Sequence, residues 1–158
     1  MNFAKSTNKK VYLVVMAEQL FQIAAKALIR NNDGAIFMLH VPPWDNVPDH
    51  WDLPGGRMDL GETFIQTLRR EIDEELGVKL SGSPRQIMGM LTNILIPVGG
   101  DRYPLVYIIF EVEIENPDNI QLSNETREFE FKWLAPKDAA MAMAHKFDKN
   151  FCEYISSL

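Results

Sequence analysis

Cysteine is almost absent. Cys152 stands alone in 158 residues, which excludes an internal disulfide and a cysteine-built zinc cluster. Positive charge is in the minority, with 16 Lys and Arg against 22 Asp and Glu for a net charge of -6. Non-specific binding to a nucleic-acid polymer relies on cationic surface to release counterions, so this balance argues against that class. No apolar run approaches the ~18 residues that a membrane span needs. The apolar stretch 11–16 falls short of a secretory core of about 7–15 residues. No repeat, low-complexity tract or long linker interrupts the chain. The histidines, His40, His50 and His145, show no spacing that suggests a metal site or a triad. The expectation is a cytoplasmic protein with a single domain over residues 1–158, of which 1–10 form a polar tail.

Residues 11–20 are apolar and suit a strand or a short helix equally. Residues 24–30, 31–34 and 35–41 read as a β-hairpin, because Asn31, Asn32, Asp33 and Gly34 tolerate the left-handed backbone of tight turns. Pro42 and Pro43 stop the second strand and open a loop around Trp44 that runs to His50. A helix is expected over residues 64–76. Thr63 and Gln66 make a capping box. Phe64, Leu68, Ile72 and Leu76 form an apolar stripe, and Gly77 supplies a left-handed stop. Residues 86–96 and 105–114 read as strands joined by a turn at 99–102. Residues 128–134 alternate Phe129, Phe131 and Trp133 with Glu128, Glu130 and Lys132, the pattern of a half-buried strand. Pro136 opens a final helix carrying Met141, Phe147, Phe151 and Tyr154. This order predicts an α+β fold with a mixed sheet covered on both faces.

Glu71, Asp73, Glu74 and Glu75 crowd acids into the end of the expected helix. That is the negative pole of the macrodipole, where each acid costs roughly 0.3–1 kcal/mol. At ~100° per residue, Glu71 and Glu75 share one face, and like charges at that spacing repel. A divalent cation converts the cost into a gain, and Mg²⁺ takes oxygen ligands. Arg70 lies four residues before Glu74 and is expected to pair with it, leaving Glu71 and Glu75 for metal. The alternative is a solvated acidic face without a role, as expected for Asp73.

Gly56, Glu62, Arg70-Glu71-Ile72, Glu74-Glu75 and Gly77-Val78 fill every fixed position of the pattern G-x5-E-x7-R-E-U-x-E-E-x-G-U, with U aliphatic. The pattern is the Nudix box, and the preceding 51–55 also resembles that family's lead-in. The resemblance implies a Nudix hydrolase: an α/β/α sandwich whose loop–helix–loop holds Mg²⁺ or Mn²⁺ and cleaves a nucleoside diphosphate linked to another group. By position it implies Glu71 and Glu75 as main ligands, Glu74 as a ligand or the partner of Arg70, and the Gly55 carbonyl as a further ligand. Glu62 would orient that shell. The general base would be Glu125, from the loop 122–127, with Glu71 of the box as the alternative. Glu125 is preferred over Glu128 because it precedes the alternating strand, although its spacing to Trp133 is longer than the family pattern.

On the substrate side, Trp44 is placed to stack a base or to anchor its loop. Arg57 and Arg102 carry forked donors suited to phosphate oxygens, or are ordinary surface arginines. Trp51 reads as structural, His40 as a strand residue, His50 as a loop residue and His145 as a helix-surface one. Cys152 reads as a buried thiol, and Met141 with Met143 as core or interface. The proline marking the ADP-ribose group of the family is replaced by Ile94, with Pro97 further on. The expected substrate is a small nucleotide: ADP-ribose, a nucleotide sugar or a dinucleotide. The alternative is a nucleoside triphosphate of the house-cleaning kind. A non-catalytic nucleotide-binding module is less favoured, because such modules commonly lose box acids. An isopentenyl diphosphate isomerase is also less favoured, because Cys152 lies near the C-terminus. A homodimer, common among relatives, would suit the apolar stretch 11–20.

Overall fold

The computed structural model describes residues 20–122 and 130–158. Strand β1 (Gln22–Ile29), β5 (Asp101–Ile114) and β4 (Leu80–Val98) form one sheet in the order β1-β5-β4. In it β1 runs parallel to β5, and β4 antiparallel. Strand β2 (Ile36–Val41), β3 (His50–Asp52) and β6 (Phe131–Leu134) form a second, antiparallel sheet in the order β3-β2-β6. The expected mixed sheet is therefore present as one of two sheets, and the α+β class holds.

The expected hairpin of 24–41 is corrected in this arrangement. Its turn forms, with Asn31 Oδ1 accepting from the Asp33 and Ala35 amides at 3.1 and 2.9 Å. Beyond it, only an isolated bridge, Arg30 to Ile36, joins the two strands. The physical reason is competition for the edge of β1. The Ala25 and Ala27 amides donate to the carbonyls of Gly56 and Pro54 at 3.0 and 2.9 Å, and Met58 donates to Ile23 at 3.0 Å. Those bonds bring the loop 54–58 onto β1 where β2 would otherwise lie.

Side chains of β1 alternate between two cores. Ala25, Ala27 and Ile29 face helix α1 (Phe64–Leu76), packing with Leu68, Ile72 and Leu76. Ala24 and Leu28 face the opposite core, which contains Phe147. Helices α2 (Pro136–Met143) and α3 (Lys149–Ser156) also contribute to that core, through Met143 and Phe151. Helices thus cover the sheet from both sides, the α/β/α sandwich. The single final helix is corrected to two. Lys146 and Phe147 lie between them, and Asp148 caps the second by accepting from the Asn150 amide at 2.8 Å. Met143 is buried, but Met141 is 77% exposed and is not core.

Helix α1 forms as its sequence predicts. Thr63 Oγ1 accepts from the Gln66 amide at 3.3 Å, and Gln66 Oε1 accepts from the Thr63 amide at 2.8 Å. Gly77 closes the helix in the left-handed conformation, its amide donating to Asp73 at 3.0 Å. Strands β4 and β5 are longer than expected, so the turn contracts to Gly99-Gly100, with Val98 paired to Asp101. Of the expected strand 128–134, the observed β6 covers the end, where Phe37 meets Phe131 and Trp133 with ring centroids 5.2 and 5.1 Å apart. Among the described residues, no helix is long and apolar enough to cross a membrane.

Candidate active site

The site is built where the loop 53–58, held on β1, meets one face of α1. Two glycines make the meeting possible. Gly55 has φ +113°, and a Cβ on it would sit 2.3 Å from the Ala25 carbonyl oxygen. A Cβ on Gly56 would lie 2.3 Å from a carboxylate oxygen of Glu71. Their lack of side chains brings β1 and the Glu71 carboxylate into contact with the loop backbone. The Gly55 amide donates to Glu75 Oε2 at 2.7 Å, so both Glu71 and Glu75 converge on the two-glycine segment.

Arg70 is held mainly by a different acid from the one expected. Its Nε and Nη2 donate to the two oxygens of Glu62 at 2.8 and 2.9 Å, a forked pair. Nη1 donates to Glu71 at 2.6 Å and reaches Glu74 only at 3.3 Å. The expected pair of Arg70 with Glu74 is present, whereas the expectation that Arg70 leaves Glu71 unpaired is corrected. Glu62 dominates by geometry: it precedes α1 and can offer both oxygens in the plane of the guanidinium. Glu74 side chains lie 53% exposed, so water competes for that pair. Glu62 also accepts from the Asp59 amide at 3.1 Å and from Thr67 Oγ1 at 2.8 Å. The Arg70 bonds, then these two, hold its carboxyl down at about 2.

Glu75 has the opposite environment. Burial raises its carboxyl to about 7, against the pull of Lys26 and the Gly55 amide. The folded chain therefore binds more protons there than the unfolded chain between pH 4.5 and 7. The resulting stability is full below the unfolded value and is lost as pH rises through the folded one. The shift corresponds to about 3 kcal/mol. In metal-free buffer, the stability of the wild type relative to Glu75→Gln is expected to fall by about that amount from pH 4.5 to 8, read by urea unfolding at each pH. A difference that stays flat across the window would refute a buried charge at this position.

Among the described residues no three His, Cys, Asp or Glu side chains already form a metal cage. The donor chemistry nevertheless fits a hard divalent cation. Two carboxylates, one of them buried, gather on a backbone segment whose carbonyls supply further oxygen, the ligand type Mg²⁺ and Mn²⁺ accept.

Behind the loop lies a polar cluster that sequence reasoning missed. Lys26 Nζ donates to the Leu53 carbonyl at 3.0 Å and to the Gly55 carbonyl in a shorter contact, and lies 3.1 Å from Asp52 Oδ2. Asp52 also accepts from Lys146 Nζ at 2.6 Å and Tyr107 Oη at 2.9 Å. Burial would raise the Asp52 carboxyl, but Lys146 and Lys26 outweigh it and hold it well below the carboxylate range. Burial lowers Lys146 to about 8. His50 belongs to β3 and is buried, not a loop residue. Its Nδ1–H donates to the Pro48 carbonyl at 2.7 Å and its Nε2 accepts from Lys146 at 3.1 Å. Burial and the Lys146 charge lower its pKa, in keeping with a neutral ring. The one available signal was a lysine inside the apolar run Ala24-Ala25-Lys26-Ala27-Leu28; Lys146, between two helices, carried none.

A cleft of about 180 Å³ adjoins this cluster, lined by Trp44, His50, Asp52, Arg57, Tyr107, Lys146 and the apolar Val41, Ile96 and Leu105. Trp44, 44% exposed, stands on its wall. Arg57 links the cleft to the box, since its carbonyl accepts from Arg70 Nη2 at 3.2 Å. Arg102 does not line it. Its guanidinium donates to the carbonyls of Asp45 and Leu95, both at 3.2 Å, and ties the Trp44 loop to β4. A larger groove of about 680 Å³ near Arg30 and Trp133 contains none of the box acids. Glu125 and Glu128 lie outside the described residues.

Comparison with known proteins agrees with this geometry. A family model described as the NUDIX domain matches residues 20–155. The nucleoside triphosphatase NudI of Salmonella typhimurium (strain LT2) is 30% identical over 115 residues, 70% of this chain and 79% of that protein. An 8-oxo-dGTP diphosphatase of Haemophilus influenzae is 36% identical over 63 residues, 40% of this chain; the match spans 46% of that relative's length. Among solved structures, the MutT protein of Methanosarcina mazei Go1 superposes with a TM-score of 0.60 at 22% identity, covering 89% of this chain and 94% of that one. A C. elegans Ap4A hydrolase complex superposes with a TM-score of 0.58 at 24% identity, covering 85% and 92%; both likenesses concern the fold. The chain belongs to the NUDIX domain family, and is an enzyme of the Nudix hydrolase class that acts on phosphoric anhydride bonds.

Proposed function

We propose that the protein is a divalent-metal-dependent pyrophosphohydrolase of nucleoside triphosphates, releasing a nucleoside monophosphate and pyrophosphate. The observation that carries the metal-dependent part is the convergence of Glu71 and Glu75 on the Gly55–Gly56 backbone. The triphosphate part replaces the expected preference for a diphosphate-linked substrate. It rests on relatives named as a nucleoside triphosphatase and an 8-oxo-dGTP diphosphatase.

In this reading Glu71, Glu74, Glu75 and the Gly55 carbonyl hold Mg²⁺ or Mn²⁺. When bound, the ion neutralises phosphate charge and lowers the pKa of the attacking water. Arg70, locked by Glu62, orients Glu71 through its 2.6 Å bond. The Gly55 amide orients Glu75. Glu71, the alternative base of the sequence reading, accepts the proton from water as it attacks phosphorus through the oxygen that Arg70 leaves open, in place of the favoured Glu125, which lies outside the described residues. Arg57 contributes forked donors toward phosphate oxygens, and Trp44 closes the wall over a base.

The test is a substrate panel with Mg²⁺: the common dNTPs, 8-oxo-dGTP, ADP-ribose, nucleotide sugars and dinucleoside polyphosphates, with products resolved by mass. A triphosphate is expected to lead by at least about tenfold in kcat/KM, a difference of roughly 1.4 kcal/mol in transition-state stabilisation. ADP-ribose or a nucleotide sugar leading by that margin would reinstate the diphosphate-linked reading. Binding without turnover of any member would favour a nucleotide-binding module.

A further inference from the structure

Lys26 stands in the buried part of β1, residues 24–29, where every other residue is apolar. Alternation along β1 turns it toward the same core as Ala24 and Leu28, beneath the loop 53–55. An ammonium has three N–H donors and no acceptor. Its three oxygen neighbours are the Leu53 carbonyl, the Gly55 carbonyl and Asp52 Oδ2. Two carbonyls of the loop, two residues apart, thus hang on one buried cation. Asp52 in turn is held by Lys146, Tyr107 and the Leu53 amide, the last donating to Oδ1 at 2.8 Å. The support reaches from β1 through β3 to the connection between α2 and α3.

We propose that Lys26 is a positioning residue of the metal site: from beneath the loop it fixes the direction of the Gly55 carbonyl, with Asp52 and Lys146 fixing Lys26. The proposal rests on the reading of Gly55 as a metal ligand. A carbonyl oxygen has two lone pairs, so a bond to Lys26 leaves the second for a cation. The same peptide segment carries the Gly55 amide that donates to Glu75. A rotation of the loop would therefore displace a carboxylate and a carbonyl together. Groups that orient ligands in this way commonly change metal affinity about 10–100-fold when removed.

The experiment measures Mn²⁺ binding to the full chain without substrate, by electron paramagnetic resonance of free Mn²⁺. It uses wild type, Glu71→Gln, Lys26→Met and Lys26→Gln, each checked by circular dichroism and thermal melting. Both Lys26 variants leave Asp52 paired with Lys146, so neither strands a buried charge. Lys26→Gln removes the charge but keeps N–H donors for the loop carbonyls, whereas Lys26→Met removes both. The expected result is Mn²⁺ affinity weakened about 10–100-fold in Lys26→Met, with Lys26→Gln closer to wild type. Affinity within twofold of wild type, or tighter, in folded Lys26→Met would overturn the proposal. So would equal loss in the two variants, which would leave Lys26 acting by its charge and not by its bonds to the loop. If neither variant folds, Lys26 serves the fold and not the site, and the proposal fails as well. Wild type that binds no Mn²⁺, or Glu71→Gln that binds it normally, would instead refute the metal-site reading itself.

Discussion

Glu71→Gln is expected to lower kcat by about 10²–10⁴-fold, the range for removal of a general base, with the fold unchanged. The side chain keeps an oxygen for Arg70, which retains its forked pair with Glu62. What disappears is the negative charge beside Gly56. The stability cost should stay within about 1 kcal/mol, because Arg70 is itself only partly buried and the lost pairing is screened by water. Turnover with Mg²⁺ and urea midpoints for the two proteins check both halves of the expectation. A rate within threefold of wild type would remove Glu71 from the chemistry and pass the base role to Glu125. A large loss of stability would mean that the acid serves the fold.

The second large effect separates two adjacent glycines. Gly55→Ala places a Cβ 2.3 Å from a backbone oxygen of β1, at a φ of +113° that an L-residue rarely adopts. Neither strand nor loop can yield cheaply, so the expected destabilisation is about 2–5 kcal/mol from strain and overpacking combined. Gly56→Ala also meets an atom at 2.3 Å, but that atom is the end of the Glu71 side chain. A carboxylate can swing away, so stability should change by less than about 1 kcal/mol. The displaced carboxylate then leaves its place against the loop, and misplacement by ~1 Å can lower kcat by about 10². Melting curves and kcat for the two variants decide the matter. Equal behaviour of the pair would contradict the close packing of Glu71 on Gly56.

Much of this arrangement was legible along the chain because its causes are local. The capping box at Thr63, the stripe through Leu68, Ile72 and Leu76, and the stop at Gly77 each depend on residues within one or two turns. The spacing of Gly56, Glu62, Arg70, Glu71, Glu74 and Glu75 was equally readable. Errors arose where two distant segments compete for one partner. The hairpin of 24–41 looked sound because its turn chemistry is sound, yet the edge of β1 is taken by Pro54 and Gly56. Helical spacing announces the Arg70 pair with Glu74, which is present, but not the fork of Glu62, eight residues earlier, or the shorter bond to Glu71. His50 looked like a loop residue, since nothing near it in sequence announces Lys146.

Periodicity, capping and the spacing of acids by themselves determined helix α1, the glycine segment before it and the family of the chain. Tertiary structure alone decided which carboxylate is buried and which stays in water, which acid holds Arg70, and that Lys26, Asp52 and Lys146 meet beneath the loop. The reason is physical. Backbone conformation responds to neighbours a few residues away, whereas burial and charge pairing depend on which strands and helices the whole chain brings together.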